Sequence, residues 1–459
     1  MAVETDSQKI ARLERDIETL KFENERLRRM LEEAIRSGKR QAAPFSRREP
    51  KANPNKPGRK PGKSYGRRCR RPIPETIDEV LDAPLPQQCP QCGGRVQETG
   101  VVSQYQTEIP APRVEKIEFR IHVGECEQCK QRVQGRHPRQ TSSATGSAAS
   151  QVGPRALALA TYLNKGLGLS CGKTTNVLEQ GFGLKLSRGG LCQALHRVAH
   201  KAEPTYEWLV EKVRAAPSVT PDETGWKVGG RLQWMWVFAS EQITVYTILP
   251  GRGFEQAATV LGANFDGFLV RDGWSVYRQF TQALHQSCVA HLLRRCREMI
   301  QVAEKGKSAQ LPSLVQQVLQ QALQLRDRSH QGQISDHGLA VAQGQLEARL
   351  DRALEKSYRS LQNQRLAKHL LRERDALFTF LCCPGLDATN YRAEQAIRPM
   401  VVARKVWGGN RTEAGARTQS VLGSILQTCR QQLRSFTSCV QDLLHSPQPK
   451  VIDFTPSDR

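Results

Sequence analysis

Asp222 lies inside a run that otherwise reads as a β-strand, Ser218-Val-Thr-Pro-Asp222-Glu-Thr-Gly-Trp226-Lys-Val228, and aspartate is depleted from strands. A carboxylate kept there asks for a ligand, and a divalent metal is one that hard oxygen donors hold well. Asp272 repeats the pattern, following the apolar run Gly267-Phe-Leu-Val270-Arg271 and preceding a glycine. Glu394 is a third acid, within the helically spaced stretch Thr389-Asn-Tyr-Arg-Ala-Glu394-Gln-Ala-Ile-Arg398-Pro-Met-Val-Val402. Each has a plainer reading. Glu223 could be the ligand with Asp222 in a turn, Asp272-Gly273 could be an ordinary turn, and Glu394 could pair with Arg398 one helical turn on. Taken together, three carboxylates from distant stretches suit two Mg²⁺ ions, or Mn²⁺ in their place, about 3.5 to 4 Å apart, which serve the attacking and leaving oxygens of an in-line phosphoryl transfer. Arg392, Arg398, Arg404 and Lys405 lie near Glu394 in sequence and could hold a nucleic-acid strand by its phosphates.

A different chemistry is written in Cys89-Pro-Gln-Cys92-Gly-Gly and, after 33 intervening residues, Cys126-Glu-Gln-Cys129. Two such pairs supply four thiolates to a tetrahedral Zn²⁺. The stretches Gln104 to Ile109 and Val114 to Val123 alternate as strands would, so residues 79–140 are expected to form a zinc ribbon. A module this small has little core, and a structural zinc ion contributes on the order of 10 kcal/mol to its folding. Cys288-Val-Ala-His291 has CxxH spacing, but two further ligands are not placed, so a structural or DNA-positioning role is expected for Cys288 and His291 instead. The remaining thiols of the thirteen cysteines, Cys382, Cys383, Cys429 and Cys439 among them, are expected to be free or buried in a reducing compartment.

The elements that must position these groups follow from the patterning. Strand-like runs flank Gly229-Gly230, and a third follows at Ile243 to Leu249, which predicts a hairpin and a three-strand meander. A helix over Phe254 to Gly262, a strand over Gly267 to Gly273, a further short helix, a strand at Gln286 to Val289 and a helix from Ala290 to Met299 come next. That order is the order of a ribonuclease H-like α/β fold, with the first strand central and the fourth beside it, so that Asp222 and Asp272 meet at one edge. Residues 303–385 carry helical spacing and no strand-like run and are expected to be an all-helical insertion between core segments 215–302 and 386–445, with a tail over 446–459.

Upstream, Ile10, Leu13, Ile17, Leu20, Asn24, Leu27, Leu31 and Ala34 advance in steps of three and four, the a and d positions of a coiled coil over residues 1–36, which predicts a homodimer through residues 10–34. Between Arg36 and Pro72 there are fourteen Lys or Arg against the single acid Glu49. Such a segment cannot bury a core, so residues 37–78 are read as a basic arm in which Lys56, Arg59, Lys60 and Lys63 meet DNA phosphates. The stretch from Arg36 to Pro72 carries more than half of the chain's net charge of +23. Residues 150–210 show three helical stretches, opened by Pro154, broken at Gly181-Phe-Gly183 and capped at Ser187. They resemble a helix-turn-helix with Lys185, Arg188 and Arg197 as contacts, although generic three-helix packing explains them equally well. No window offers the roughly 18 apolar residues of a membrane span, and no signal-peptide core opens the chain, so a cytoplasmic, nucleoid-associated protein is expected.

The ordered set Asp222-Glu-Thr-Gly-Trp226, Arg271-Asp272-Gly-Trp-Ser-Val-Tyr277, Cys288-Val-Ala-His291-Leu-Leu-Arg294 and Asn390-Tyr-Arg-Ala-Glu394-Gln-Ala-Ile-Arg398-Pro with Arg404-Lys405 after it resembles the insertion-sequence 66 (IS66) family of bacterial DNA transposases. The paired-cysteine segment and the N-terminal heptads match too. Tyr391 stands where the family commonly has a second asparagine, and Trp407-Gly408-Gly409 departs from the more usual ending. The resemblance implies a ribonuclease H-like catalytic domain, a triad of Asp222, Asp272 and Glu394, and cutting and joining of double-stranded DNA at element ends and target, with element-encoded helper proteins as compatible partners. A DNA-binding regulator without catalysis and a metal-dependent nuclease without joining are the other functions these residues allow.

Overall fold

A computed structural model describes residues 71–303 and 306–455, together with Leu13, residues 16–20, 23, 24, 26 and 27. The chain divides into two units, Met1–Ala111 and Pro112–Arg459. In the first, the described N-terminal residues are helical, and Leu13, Ile17, Leu20 and Leu27 are each at least half exposed. The flanking heptad positions Ile10, Leu31 and Ala34, and the basic arm with Lys56, Arg59, Lys60 and Lys63, lie outside the described residues. Gln104 to Ile109 form no strand, nor do residues 114–122 of the second unit. Pro110 and Pro112 between them carry no N–H to donate to a ladder, and Ile109 and Ile117 stay exposed. The alternation there is therefore not a sheet; the pairings of this region among the described residues are the isolated antiparallel bridge of Gln88 with Arg95 and the hairpin of β1 (Val123–Glu125) and β2 (Arg132–Gln134).

In the second unit, α1 (Pro154–Thr161) starts on its proline, whose missing N–H costs nothing at a helix N-terminus. The chain then passes through a π-helical turn, Tyr162–Gly166. α2 (Cys171–Phe182) is capped by Ser170 and stopped by Gly183 in the left-handed region. α3 is capped by Ser187 as expected but runs from Arg188 to Arg214 through Pro204, well past Lys201. Its apolar face explains the extension: Leu191, Leu195, Val198, Ala202, Tyr206, Leu209 and Val213 form one continuous buried stripe. That stripe belongs to the same core as Val219 and Phe238 of the sheet and Ile425 of a later helix, so residues 150–210 are not a separate helical domain.

The sheet has five strands in the order β5-β4-β3-β6-β7: β3 (Ser218–Val228), β4 (Arg231–Ala239), β5 (Thr244–Leu249), β6 (Phe268–Arg271) and β7 (Leu284–Ser287). Gly229 and Gly230, with φ of 56° and 80°, make the β3–β4 turn that residues with a Cβ would strain. β3 is central, antiparallel to β4 and parallel to β6. α4 (Phe254–Leu261) separates β5 from β6, and the expected helix between β6 and β7 is only a 3-10 turn, Ser275–Gln279. α5 (Val289–Gln301) follows β7.

The insertion is helical: α6 (Gly306–His330), α7 (Asp336–Leu354), α8 (Leu361–Arg372) and α9 (Thr379–Cys382). It has a core of its own around Val315, Leu350, Leu370 and Phe380, which continues onto Val270 of β6 and Val289 and Leu292 of α5. α10 (Tyr391–Trp407) lies on β3 and β4, with Ala393, Ala396, Ile397 and Met400 against Trp226, Met235 and Val237. α11 (Glu413–Gln431) and α12 (Phe436–His445) complete the unit. Along the β5 edge, Ser424 Oγ accepts from Tyr246 N–H at 2.8 Å and Thr428 Oγ1 from Thr244 N–H at 3.2 Å. Those hydroxyls occupy donors that an open edge would offer to another chain.

Candidate active site

The register of the two parallel strands sets the first pair of acids. Ser218 pairs with Phe268 and Val219 with Leu269; four residues on from the first of these pairs, at 218+4 and 268+4, come Asp222 and Asp272. In parallel strands residues at the same level share a face. Asp222 also pairs with Val237 of β4, and Val237 is packed under α10. Asp222 therefore belongs to the face that α10 covers, Asp272 directly follows the neighbouring strand, and Glu394 sits in the first turn of α10.

Asp222 is pushed up from 3.8 to about 7. Burial is the largest cause, opposed by the Glu223 N–H that donates to Oδ1 at 2.8 Å, and then the charges of Glu223, Asp272 and Glu394 raise it further. Asp222 thus lies within the field of the other two acids, in surroundings that disfavour its negative charge. Among the described residues, however, no three His, Cys, Asp or Glu side chains are gathered into a ready set of metal ligands. Asp272 Oδ1 accepts from Trp274 N–H at 2.9 Å, and Glu394 Oε1 lies 3.5 Å from His291 Nε2. By donor chemistry the acids fit a hard divalent cation, whose charge would relieve the repulsion they exert on Asp222.

Glu223, the other candidate, is engaged elsewhere. It faces the opposite side of β3, where Arg252 Nε donates to Oε1 at 2.7 Å and Tyr277 Oη donates to Oε2. Its side chain is 1% exposed. Arg252 is itself sandwiched between Trp274 at 3.9 Å and Trp234 at 4.8 Å. Glu223 therefore braces the strand that presents Asp222.

Cys288 and His291 acquire a role from the fold. Cys288 is the N-cap residue of α5, and its buried Sγ accepts from the N–H of Asn390, the N-cap residue of α10, at 3.4 Å. One turn along α5, His291 reaches Glu394, one turn into α10. Val289 N–H adds a bond to Ala388 O at 3.0 Å. The CxxH spacing thus docks the first turn of α5 on the first turn of α10. The sequence carried the spacing but not the partner residues, which lie about a hundred positions away.

The basic candidates divide. Arg404 is partly engaged, its Nη1 donating to Thr224 Oγ1 at 2.8 Å and to Gly225 O, pinning α10 to β3. Arg392 is held by Asp387 at 2.9 Å and by Glu241 O at 3.2 Å. Arg398, Lys405, Lys185, Arg188 and Arg197 are exposed. The sequence reading missed Arg271, Arg278 and Glu373, which are joined beside Asp272. A signal was present, since an arginine closing an apolar strand requires a buried anionic partner.

The two cysteine pairs sit in matching loops. In the first unit Cys89 N–H donates to Gly94 O and Gly93 N–H to Cys89 O; in the second Cys126 N–H donates to Gln131 O and Lys130 N–H to Cys126 O. The fifth residue of each loop, Gly93 or Lys130, is left-handed. Backbone N–H groups of Gln91 and Cys92 hold the Cys89 thiol below its ordinary value, and those of Cys129 and Gln128 do the same for Cys126. Donors aimed at sulfur favour thiolate, the form that ligates zinc.

The profile described as "Transposase IS66 family" matches residues 149–418, a span that includes all three acids, the CxxH turn and the insertion. Two curated proteins of Sinorhizobium fredii (strain NBRC 101917 / NGR234) are also similar: "Uncharacterized protein y4qI", 23% identical over 277 residues, 54% of this chain and 51% of the relative, and "Uncharacterized protein y4jD", 25% identical over 279 residues, 54% of each. The chain thus spans about half the length of the curated relatives it matches. The matched span covers more than half of the chain and contains the sheet, the helix that covers it and the acids between them, and the chain belongs to the IS66 family of transposases.

Proposed function

We propose that this chain is the transposase of an insertion sequence, with a ribonuclease H-like core on which Asp222, Asp272 and Glu394 form the catalytic triad. The observation that carries the reading is Asp222 on β3 with Asp272 directly after the neighbouring parallel strand β6, and Glu394 in the first turn of the helix packed on β3, close enough for both acids to act on the Asp222 carboxyl. Mg²⁺ or Mn²⁺, when bound by these acids, supplies Lewis-acid stabilisation of the attacking and leaving oxygens. The chain's own part is to hold the acids in place: β3 carries Asp222, β6 leads directly into Asp272, and Cys288, His291 and Arg404 dock α10. In the cleavage step a water oxygen bonds to phosphorus as the bond to the 3′ oxygen breaks; one proton ends on that oxygen as the 3′ hydroxyl, and the other is lost to solvent from the new 5′ phosphate. In the joining step that 3′ hydroxyl attacks a target phosphodiester, one ester bond replacing another.

The same reading gives Cys89, Cys92, Cys126 and Cys129 to a structural Zn²⁺, the basic arm and exposed Lys185, Arg188, Arg197, Arg398 and Lys405 to DNA phosphates, and residues 10–34 to pairing with a second copy. Sedimentation of the full chain as a monomer at micromolar concentration would remove that last element. No described helix is long and apolar enough to cross a membrane. Asp222→Asn tests the central claim, because it keeps the shape and removes the charge. Transfer of pre-cut element ends into target DNA should disappear while DNA binding persists. Undiminished transfer by the variant refutes the triad, and a wild-type chain that cuts but never joins is a nuclease.

A further inference from the structure

Asp272 lies one residue beyond the end of β6, so no ladder bond of that strand holds it. What does hold it is the preceding arginine. Arg271, 2% exposed, donates from Nη1 to the Asp272 carbonyl at 3.1 Å and, from the same nitrogen, to Glu373 Oε2 at 2.6 Å. Glu373 follows α8, in the helical insertion, and its side chain is fully buried. It also takes Ser287 Oγ on Oε2 at 2.5 Å and Arg278 Nη1 on Oε1 at 2.6 Å. Ser287 is the residue paired with Arg271 across β6 and β7, and Arg278 is on the turn that leaves Asp272. One carboxylate therefore ties together the residue before Asp272, the strand beside it and the turn after it.

The insertion approaches the same turn at a second point. A Cβ built on Gly273 would stand 2.7 Å from Cε1 of His369, which lies one helical turn before Glu373. The Glu373 N–H is bonded to His369 O at 3.1 Å, so the two contacts move as one body. The insertion thus builds the segment that carries the second acid of the triad, in addition to its own core.

We infer that Glu373 is a positioning residue of the active site, through which the helical insertion sets the Asp272 carboxylate. This rests on the triad reading above. A buried ion cluster that serves only stability is replaceable by apolar side chains of similar volume without loss. One that sets a catalytic segment is not, because Arg271 fixes the Asp272 backbone from which the carboxylate, itself bonded by the Trp274 N–H, is presented.

The test uses the full chain in four forms: wild type, Glu373→Gln, the pair Arg271→Met with Glu373→Met, and Asp272→Asn. Mn²⁺ binding is read from the electron paramagnetic resonance of the free ion, folding by thermal unfolding, and cleavage on a supercoiled plasmid carrying the DNA that flanks this gene on both sides. Glu373→Gln is expected to bind that DNA as wild type does, yet lose roughly 10²-fold in cleavage rate, the loss typical of an ångström-scale misplacement, and to need more Mn²⁺ for half-saturation. The double Met form should recover the melting temperature of wild type but neither Mn²⁺ affinity nor cleavage. A double Met form that regains all three shows the cluster to be structural only and overturns the inference, as does a folded Glu373→Gln with wild-type Mn²⁺ affinity. In both cases a dead Asp272→Asn leaves the triad standing. If instead Asp272→Asn binds Mn²⁺ and cleaves as wild type does, the triad itself is wrong and the inference falls with it.

Discussion

Asp222 should make the metal-free protein less stable as the pH rises, and replacing it should remove that dependence. Its carboxyl is displaced from 3.8 to about 7, mainly by burial and then by the neighbouring acids. The folded state therefore holds a proton that the unfolded chain releases near pH 4. Below that pH both states are protonated and nothing is lost. Between about 4 and 7 the unfolded chain is ionised while the folded one still resists, so the stability of the fold declines with pH. Above 7 the cost is complete. At about 1.4 kcal/mol per pH unit the displacement amounts to about 4 kcal/mol. For a unit of about 350 residues, at roughly 2.1 cal/mol/K per residue, that corresponds to about 5 °C in melting temperature. Asp222→Asn has no proton to lose. In the absence of divalent ions it should melt about 5 °C above wild type at pH 8 and nearly together with it at pH 4 and below, by scanning calorimetry at fixed ionic strength. Added Mg²⁺ should raise the wild-type melting point at pH 8 and leave the variant where it was. If the two proteins show parallel melting curves from pH 5 to 8, Asp222 is not the strained carboxyl described here, and the electrostatic argument for a cation among the three acids collapses.

Two further outcomes follow from the N-terminal segments. Removing residues 36–72 should flatten the log-log salt dependence of DNA binding by roughly 7, if about eight phosphates are neutralised by that arm; titrations between 50 and 200 mM salt measure it, and an unchanged slope assigns the binding elsewhere. Cys92→Ser should lower the zinc content found by atomic emission and make the region around residues 79–140 susceptible to protease. Full zinc occupancy in that variant would place the ion on other ligands.

The parts of this fold legible in the sequence are those whose cause is local. Gly229-Gly230 between two β-branched and aromatic runs can hardly be anything but a hairpin, because the turn demands positive φ twice. The β6 run ending in Asp272 could be placed beside β3 because a parallel strand after a crossover helix has few other places to go, and the observed order puts it there. The alternation of 104–109 and 114–123 misled for the converse reason. Period two states which face a residue would occupy in a sheet, but it supplies no partner strand, and the two prolines between the runs deny the ladder its donors. α3 overran its expected end because a helix stops where its buried stripe stops, and the stripe continues past Pro204 to Val213.

The least legible contacts join segments across the insertion. Cys288 and Asn390 are 102 residues apart in sequence, Arg271 and Glu373 likewise 102, and no periodicity spans such a distance. What the sequence does show is a debt at one end: Arg271 closes the run Phe-Leu-Val, where a charge must be paired or the strand would not be buried. The partner comes from the insertion, next to the helix whose His369 ring stands 2.7 Å from where a Cβ at 273 would be. An insertion that was ornamental could pack on the sheet through apolar residues alone. This one places its most buried acid one residue from a catalytic candidate, and the same acid fixes the strand beside it and the turn after it. On the inference drawn above, a change along α8 that rotates Glu373 is expected to move Asp272 as well, and the insertion takes part in setting the proposed site.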